Sequence, residues 1–187
     1  ALALTGMLCL TTFAGTQTVS AETADSAKQV DIVFTHDTHS HLNTFTTIVD
    51  EAEKEVGGFA RINTLIQEQK AKNPDTLVVD GGDFSMGTLI QTVFETQAAE
   101  IRMLGYMGCD VTTLGNHEFD YRSKGLANML NSAAESGDDL PAMVVCNVDW
   151  ESMEAAGLSE GQQLIRDAFD EYGVSDYVVL EKGDTDI

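Results

Sequence analysis

Val111-Thr112-Thr113-Leu114-Gly115-Asn116-His117-Glu118-Phe119-Asp120 is a short strand-like run that stops at a glycine and then releases an amide, an imidazole and two carboxylates. The same pattern occurs twice before it. Ile32-Val33-Phe34 leads to Asp37-Thr38-His39, and Leu77-Val78-Val79 leads to Gly81-Gly82-Asp83. Loops at the C-terminal ends of strands are where α/β proteins place their chemistry. Carboxylate, imidazole and amide oxygen together suit a small divalent metal and a hydrolytic site.

Working outward, strand and helix patterns alternate. Val30 to Thr35 reads as a strand, and Phe59, Ile62, Leu65 and Ile66 recur at helical spacing over about 59–72. Asn73-Pro74-Asp75 ends that helix, and Thr76 to Asp80 is the next strand. Val93, Phe94, Ala98, Ile101 and Leu104 predict one continuous second helix, followed by a strand over 110–114. Leu126, Met129, Leu130 and Ala133 mark a third helix, and Pro141 precedes a strand over 142–146. Leu164, Ile165, Ala168 and Phe169 mark a further helix, and Asp176 to Glu181 reads as a last strand. The order βαβαβαβ(α)β places the chain in the α/β class. The pattern ends without an element to close the domain, so the chain reads as cut at both ends.

With 187 residues the chain is long enough for one domain with a real core. The balance of 31 acidic against 10 basic residues gives a formal charge of −21, which excludes a nucleic-acid polymer as partner. A phosphate-bearing small molecule stays admissible, because a bound metal reverses the field locally. Glu22 is the first charged residue. An apolar segment runs from Ala1 to Gly15, and Val19-Ser20-Ala21 follows as a small-x-small site, so residues 1–21 read as part of an export signal cleaved after Ala21. The apolar stretch falls short of the ~20 residues a spanning helix needs, so no stable membrane span is expected. Export places the product in the periplasm, at the cell surface or outside the cell. Residues 22–28 are polar and aperiodic and read as a linker. Cys109 and Cys146 follow, and two buried free thiols are expected in preference to a bridge.

Each cluster has a sharp reading and a plain one. Asp37 and His39, two apart, project to one side of an extended backbone and can share a metal, or they are an exposed loop pair. The two glycines before Asp83 allow a tight turn and a carboxylate that can bridge metals. Alternatively Asp83 caps its own turn, and Asp80 competes as a ligand. Asn116 offers a neutral oxygen, while His117 projects differently, towards substrate, with Asp120 placed to hold its ring. Otherwise Asn116 and Asp120 are turn and cap residues before the third helix. His36, His41 and Asn147 read as supporting or solvated, and Asp50, Glu51, Glu53 and Glu55 as a solvated face.

In order and spacing the three clusters resemble the calcineurin-like metallophosphoesterases, a family read as DxH, GD and GNHE/D. The wider strings Thr35-His36-Asp37-Thr38-His39-Ser40-His41-Leu42, Gly57-Gly58-Phe59-Ala60-Arg61, Gly81-Gly82-Asp83-Phe84-Ser85-Met86-Gly87-Thr88 and Leu114 to Asp120 resemble its bacterial 5′-nucleotidase branch. That branch also holds 2′,3′-cyclic-nucleotide phosphodiesterases and nucleotide-sugar hydrolases. The resemblance implies a four-layer α/β/β/α sandwich, of which residues 29–187 would be the N-terminal portion. It implies two divalent metals (Mn, Zn, Fe, Co or Ni) and a small-molecule nucleotide substrate. Asp37 and His39 would hold the first metal, Asp83 would bridge and Asn116 would hold the second. His117, partnered by Asp120, would stabilise the transition state or assist the leaving oxygen. The family's later GH and GHxH motifs have no counterpart, since the histidines are His36, His39, His41 and His117. The C-terminal nucleotide-binding domain of the branch is also absent, so this chain by itself is expected to turn over little.

Overall fold

A computed structural model describes residues 29–187. The expected signal (1–21) and linker (22–28) lie outside the described residues. The first elements are strand β1 (Ile32–Thr35), a hairpin of β2 (Phe45–Val49) and β3 (Ala52–Val56), helix α1 (Phe59–Lys72) and strand β4 (Leu77–Asp80). Helices α2 (Phe94–Gln97) and α3 (Ala99–Tyr106) lead to β5 (Val111–Thr112), and α4 (Arg122–Ala134) leads to β6 (Ala142–Met143). Helices α5 (Trp150–Ala156) and α6 (Glu160–Tyr172) and a small hairpin, β7 (Glu181–Lys182) with β8 (Thr185–Asp186), complete the chain.

The α/β class expected from the pattern is what forms. Strands β1, β4, β5 and β6 pair in that order, all parallel, with Val33 opposite Val78 and Thr112 opposite Met143. Alternation along the strands separates two faces. Val33, Val78 and Met143 point into the core with Ile66, Phe94, Ile101, Leu104, Leu126 and Leu130 from the helices. The other face stays open: Ile32 is 59% and Phe34 60% exposed, and a cavity of about 670 Å³ there is lined by Phe34, Val79, Val111, Leu114 and Val144. Among the described residues no helix is long and apolar enough to cross a membrane.

Three expectations need correction. The second helix is broken rather than continuous. Residues 89–93 form a 3₁₀ turn, and Ala98 sits in the left-handed region (φ 46°) between α2 and α3. The break lets Phe94, Ala98 and Ile101 all reach the core, and the Arg102 guanidinium donates to the Gln97 carbonyl that the break frees, at 3.1 Å. The strand over 176–181 does not form. Only the Val144–Ser175 bridge continues the sheet, and Tyr177 and Val179 remain exposed. The reason is pairing: β6 is two residues long and offers no further ladder, whatever the propensity of its would-be neighbour. Cys146, expected buried, is exposed; it and Cys109 are both free thiols.

Burial pushes the Cys109 thiol up to about 12, which suppresses its thiolate. Brief iodoacetamide treatment of the folded chain is therefore expected to alkylate Cys146 and spare Cys109. Mass spectrometry of tryptic peptides reads this, and equal labelling would contradict the packing described.

The β2–β3 hairpin, helix α5 and strand β8 went unread in the sequence. The acidic run lies in the β2–β3 hairpin, whose turn residues Asp50 and Glu51 have φ of 53° and 63°, the left-handed pair a two-residue hairpin turn requires. Helix α5 is started by Asp149, whose carboxylate accepts from the Ser152 N–H at 3.0 Å, and its Trp150 packs edge-on against Phe169.

Candidate metal centre

Since β1, β4 and β5 are neighbours in a parallel sheet, the loops that leave them emerge side by side at one edge. Those loops interlock at glycines. Gly82 has φ +85°, and a Cβ there would lie 2.5 Å from the Gly115 nitrogen. A Cβ on Gly115 would lie 2.1 Å from Asp83 Oδ1. Side chains at these two positions would push the loops apart and displace Asp83.

The structure brings the expected residues together. His39, Asp83 and His117 each offer a ligand atom within 4.8 Å of the others. The imidazoles of His39 and His117 meet edge-on with centroids 5.0 Å apart. Asp37 Oδ1 is 3.8 Å from His39 Nε2, and Asp37 Oδ2 is 2.5 Å from His36 Nδ1. His39 Nδ1 faces the Ser85 carbonyl at 3.1 Å, and His117 Nδ1 faces Asp120 Oδ2 at 2.7 Å. Both rings therefore have Nδ1 engaged by an oxygen acceptor, so that each ring, when neutral, carries its proton there and keeps the lone pair on Nε2.

Asn116 sits against Asp83 in one of two ways. With its amide nitrogen inward it donates to Asp83 Oδ2 at 3.2 Å, and its oxygen accepts from the His117 N–H at 3.2 Å. With its oxygen inward, oxygen faces oxygen, an arrangement that a cation between them relieves. Asp80 points elsewhere. Its buried carboxyl accepts from Thr35 Oγ1 (2.7 Å), the Gly82 N–H (3.0 Å) and Thr112 Oγ1 (3.2 Å). His41 Nδ1 contacts the Thr38 carbonyl at 3.2 Å, and Asn147 lines the cavity on the open sheet face.

Sequence reasoning missed Glu118. It looks like one more donor in a donor-rich string, but it is fully buried and accepts from the N–H groups of Asp83 (3.0 Å), Ser85 (3.0 Å) and Gly115 (2.7 Å) and from Ser85 Oγ (2.8 Å). One carboxylate thus closes the hydrogen bonds of two loops and fixes the backbone that carries Asp83. Each of those donors would cost ~1–3 kcal/mol if left unpaired in the interior.

Charges within the cluster are tuned by neighbours. The hydrogen bond from His36 holds the Asp37 carboxyl below its usual range, against the opposing pull of desolvation. The hydrogen bond to Asp120 raises His117, with Asp83 and Glu118 adding to the effect. Burial raises Asp80. The donor set of carboxylate, imidazole and amide oxygen, with both Nε2 atoms free, fits a first-row divalent ion. A separate cavity of about 640 Å³ beside α3 is lined by Leu42, Met103, Tyr106 and Asp138, and none of the six candidate site residues lines it. On its rim Arg102 pairs with Asp138 at 2.6 Å.

The chain is 36% identical over 110 residues to the 5′-nucleotidase of Mus musculus and 31% identical over 114 residues to the NAD 5′-nucleotidase of Haemophilus influenzae. The first match covers 57% and the second 59% of this chain, and each covers 19% of the relative. Among solved structures, the 5′-nucleotidase precursor from Thermus thermophilus superposes with a TM-score of 0.63 at 26% identity, over 83% of this chain and 26% of that one. The chain thus spans about a fifth to a quarter of the length of these proteins. The family described as calcineurin-like phosphoesterase matches residues 30–184, nearly all of what the structure describes, and the chain belongs to that family.

Proposed function

We propose that this chain forms the N-terminal portion of the catalytic domain of an exported, two-metal phosphoesterase that hydrolyses phosphate esters of nucleotides. The observation that carries the reading is the convergence of His39, Asp83 and His117 within 4.8 Å at the ends of three adjacent strands. In this reading Asp37 and His39 would hold one ion, Asp83 would serve both, and Asn116 would hold the second. Bound metals would supply an activated water and neutralise charge on the transferring phosphoryl group. The chain's own residues do the rest. The hydrogen bond from His36 favours the ionised form of Asp37. Asp120 pins Nδ1 of His117 and favours the charged ring, the form in which Nε2 also carries a proton and can assist the leaving oxygen. Four donors are too few to fill two coordination shells, so this chain alone binds metal weakly and turns over little.

The nucleotide-processing relatives favour a nucleoside monophosphate as substrate. A cyclic nucleotide, a nucleotide sugar or a non-catalytic surface role are the rival readings. The test incubates the complete gene product with AMP, 2′,3′-cyclic AMP and UDP-glucose, before and after EDTA treatment and Mn²⁺ re-addition, and separates the products by ion exchange. AMP is expected to yield adenosine and phosphate, to stop with EDTA and to recover with Mn²⁺. Preferred turnover of another substrate moves the assignment within the family, and metal-dependent turnover of none of them overturns it.

A further inference from the structure

The loop that carries Asp37 and His39 is strained. Asp37, His39 and Ser40 have φ of 51°, 44° and 54°, in the left-handed region that side-chain-bearing residues avoid. Such backbone persists where the surroundings over-determine it. On one side three N–H groups do so: Asp37 to the Gly82 carbonyl (3.0 Å), His39 to that of Asp83 (3.1 Å) and Ser40 to that of Phe84 (2.8 Å). On the other, Thr88 Oγ1 donates to the Ser40 carbonyl at 2.6 Å, and Ser40 Oγ donates to Glu100 Oε1 at 2.7 Å.

Glu100 is unusual among these supports. It lies in the first turn of α3, sixty residues from Ser40 in sequence, and is fully buried. Its Oε2 has no hydrogen-bond partner. Burial raises its carboxyl, so desolvation is not offset by its surroundings. A buried carboxyl with one bare oxygen lowers stability relative to an apolar side chain of similar size. Stability therefore does not account for it, whereas the geometry of the turn does: Glu100 Oε1 accepts the Ser40 hydroxyl, and Ser40 is the last of the strained residues.

We propose that Glu100 is a positioning residue of the metal centre, which through Ser40 holds the left-handed turn that aims Asp37 and His39 at Asp83. It contacts neither ion nor substrate. Its role parallels that of Glu118, one buried carboxyl fixing the backbone of Asp83 and the other that of the first cluster. The inference rests on the reading of the cluster as a metal centre.

The test uses the 187-residue chain with two readouts. One is amide hydrogen exchange at Asp37, His39 and Ser40 without metal. The other is Mn²⁺ affinity from paramagnetic broadening of the His39 and His117 ring signals, which reads weak binding. Glu100→Gln keeps an acceptor for Ser40, and its exchange rates and affinity should stay within about threefold of wild type. Glu100→Leu removes the acceptor and fills the space. It should keep or raise the thermal midpoint while exchange at the three amides quickens and Mn²⁺ affinity falls about tenfold, the size expected for a residue one step behind a ligand. Should the leucine variant fail to fold, Ser40→Ala carries the same expectation for exchange and affinity, with a lowered thermal midpoint because Glu100 loses the Ser40 hydroxyl, and in exchange and affinity the double variant should be no worse than either single one. Wild-type exchange and affinity in E100L or S40A overturn the inference alone, as does an E100Q variant that loses as much as E100L. A wild-type chain that binds no Mn²⁺ overturns the metal-centre reading, and this inference with it.

Discussion

Asp83→Ala is expected to lower Mn²⁺ affinity of the chain by more than about a hundredfold, beyond the range seen when only an outer partner of a metal ligand is removed. Asp83 stands at the crossing of all three loops. Its Oδ1 accepts from the His117 N–H at 2.9 Å, its carbonyl accepts from the His39 N–H at 3.1 Å, and its own N–H donates to Glu118 at 3.0 Å. Alanine keeps the two backbone bonds and removes the charge, so the fold should survive and circular dichroism should be unchanged. Asp83→Asn keeps one acceptor oxygen and the shape of the side chain, and should fall between wild type and alanine. A D83A chain that binds Mn²⁺ within threefold of wild type would mean that the ion, if any, is held elsewhere.

His117→Ala in the complete gene product is expected to reduce turnover by ~10²–10⁴, the contribution of a positioned acid or of a group stabilising developing charge. Metal content should remain largely intact, because the proposed ligands are Asp37, His39, Asp83 and Asn116. His117 stands within ligand reach of His39 and Asp83, so the experiment is a real division between two roles. Metal content falling in step with turnover would make His117 a ligand. Unchanged turnover would remove it from the chemistry altogether. Asp120→Asn should follow His117→Ala in direction with a smaller loss, since asparagine still contacts Nδ1 but no longer raises the ring.

The reading of helices and strands from sequence succeeded where the pattern was local and long. Helix α1 runs over Phe59–Lys72, where its apolar spacing and the Asn73-Pro74-Asp75 stop placed it. The failures share a cause. The break at Ala98 leaves the apolar spacing of the flanking residues undisturbed, because Phe94 and Ile101 face the same core on either side of it. The run over 176–181 has strand propensity but no place in the parallel sheet, and only its last residues pair, in the β7–β8 hairpin. The hairpin over 45–56 is carried by exposed residues, so neither strand shows the alternation that burial of one face imprints.

The sequence by itself determined the α/β alternation and the places of the candidate donor residues at the ends of strands, because strand and helix periods and glycine punctuation are local properties of the chain. Only the tertiary structure decided which of those donors meet and which buried groups hold them. Asp80 and Asp83 are three residues apart and chemically alike, yet one accepts hydrogen bonds within the sheet and the other faces His39 and His117. Glu100 and Glu118 are indistinguishable from the chain's other glutamates until packing buries them beneath the loops. The difference is one of desolvation and hydrogen-bond partners, quantities fixed by neighbours distant in sequence, such as Ser40 for Glu100 and Asp83 for Glu118.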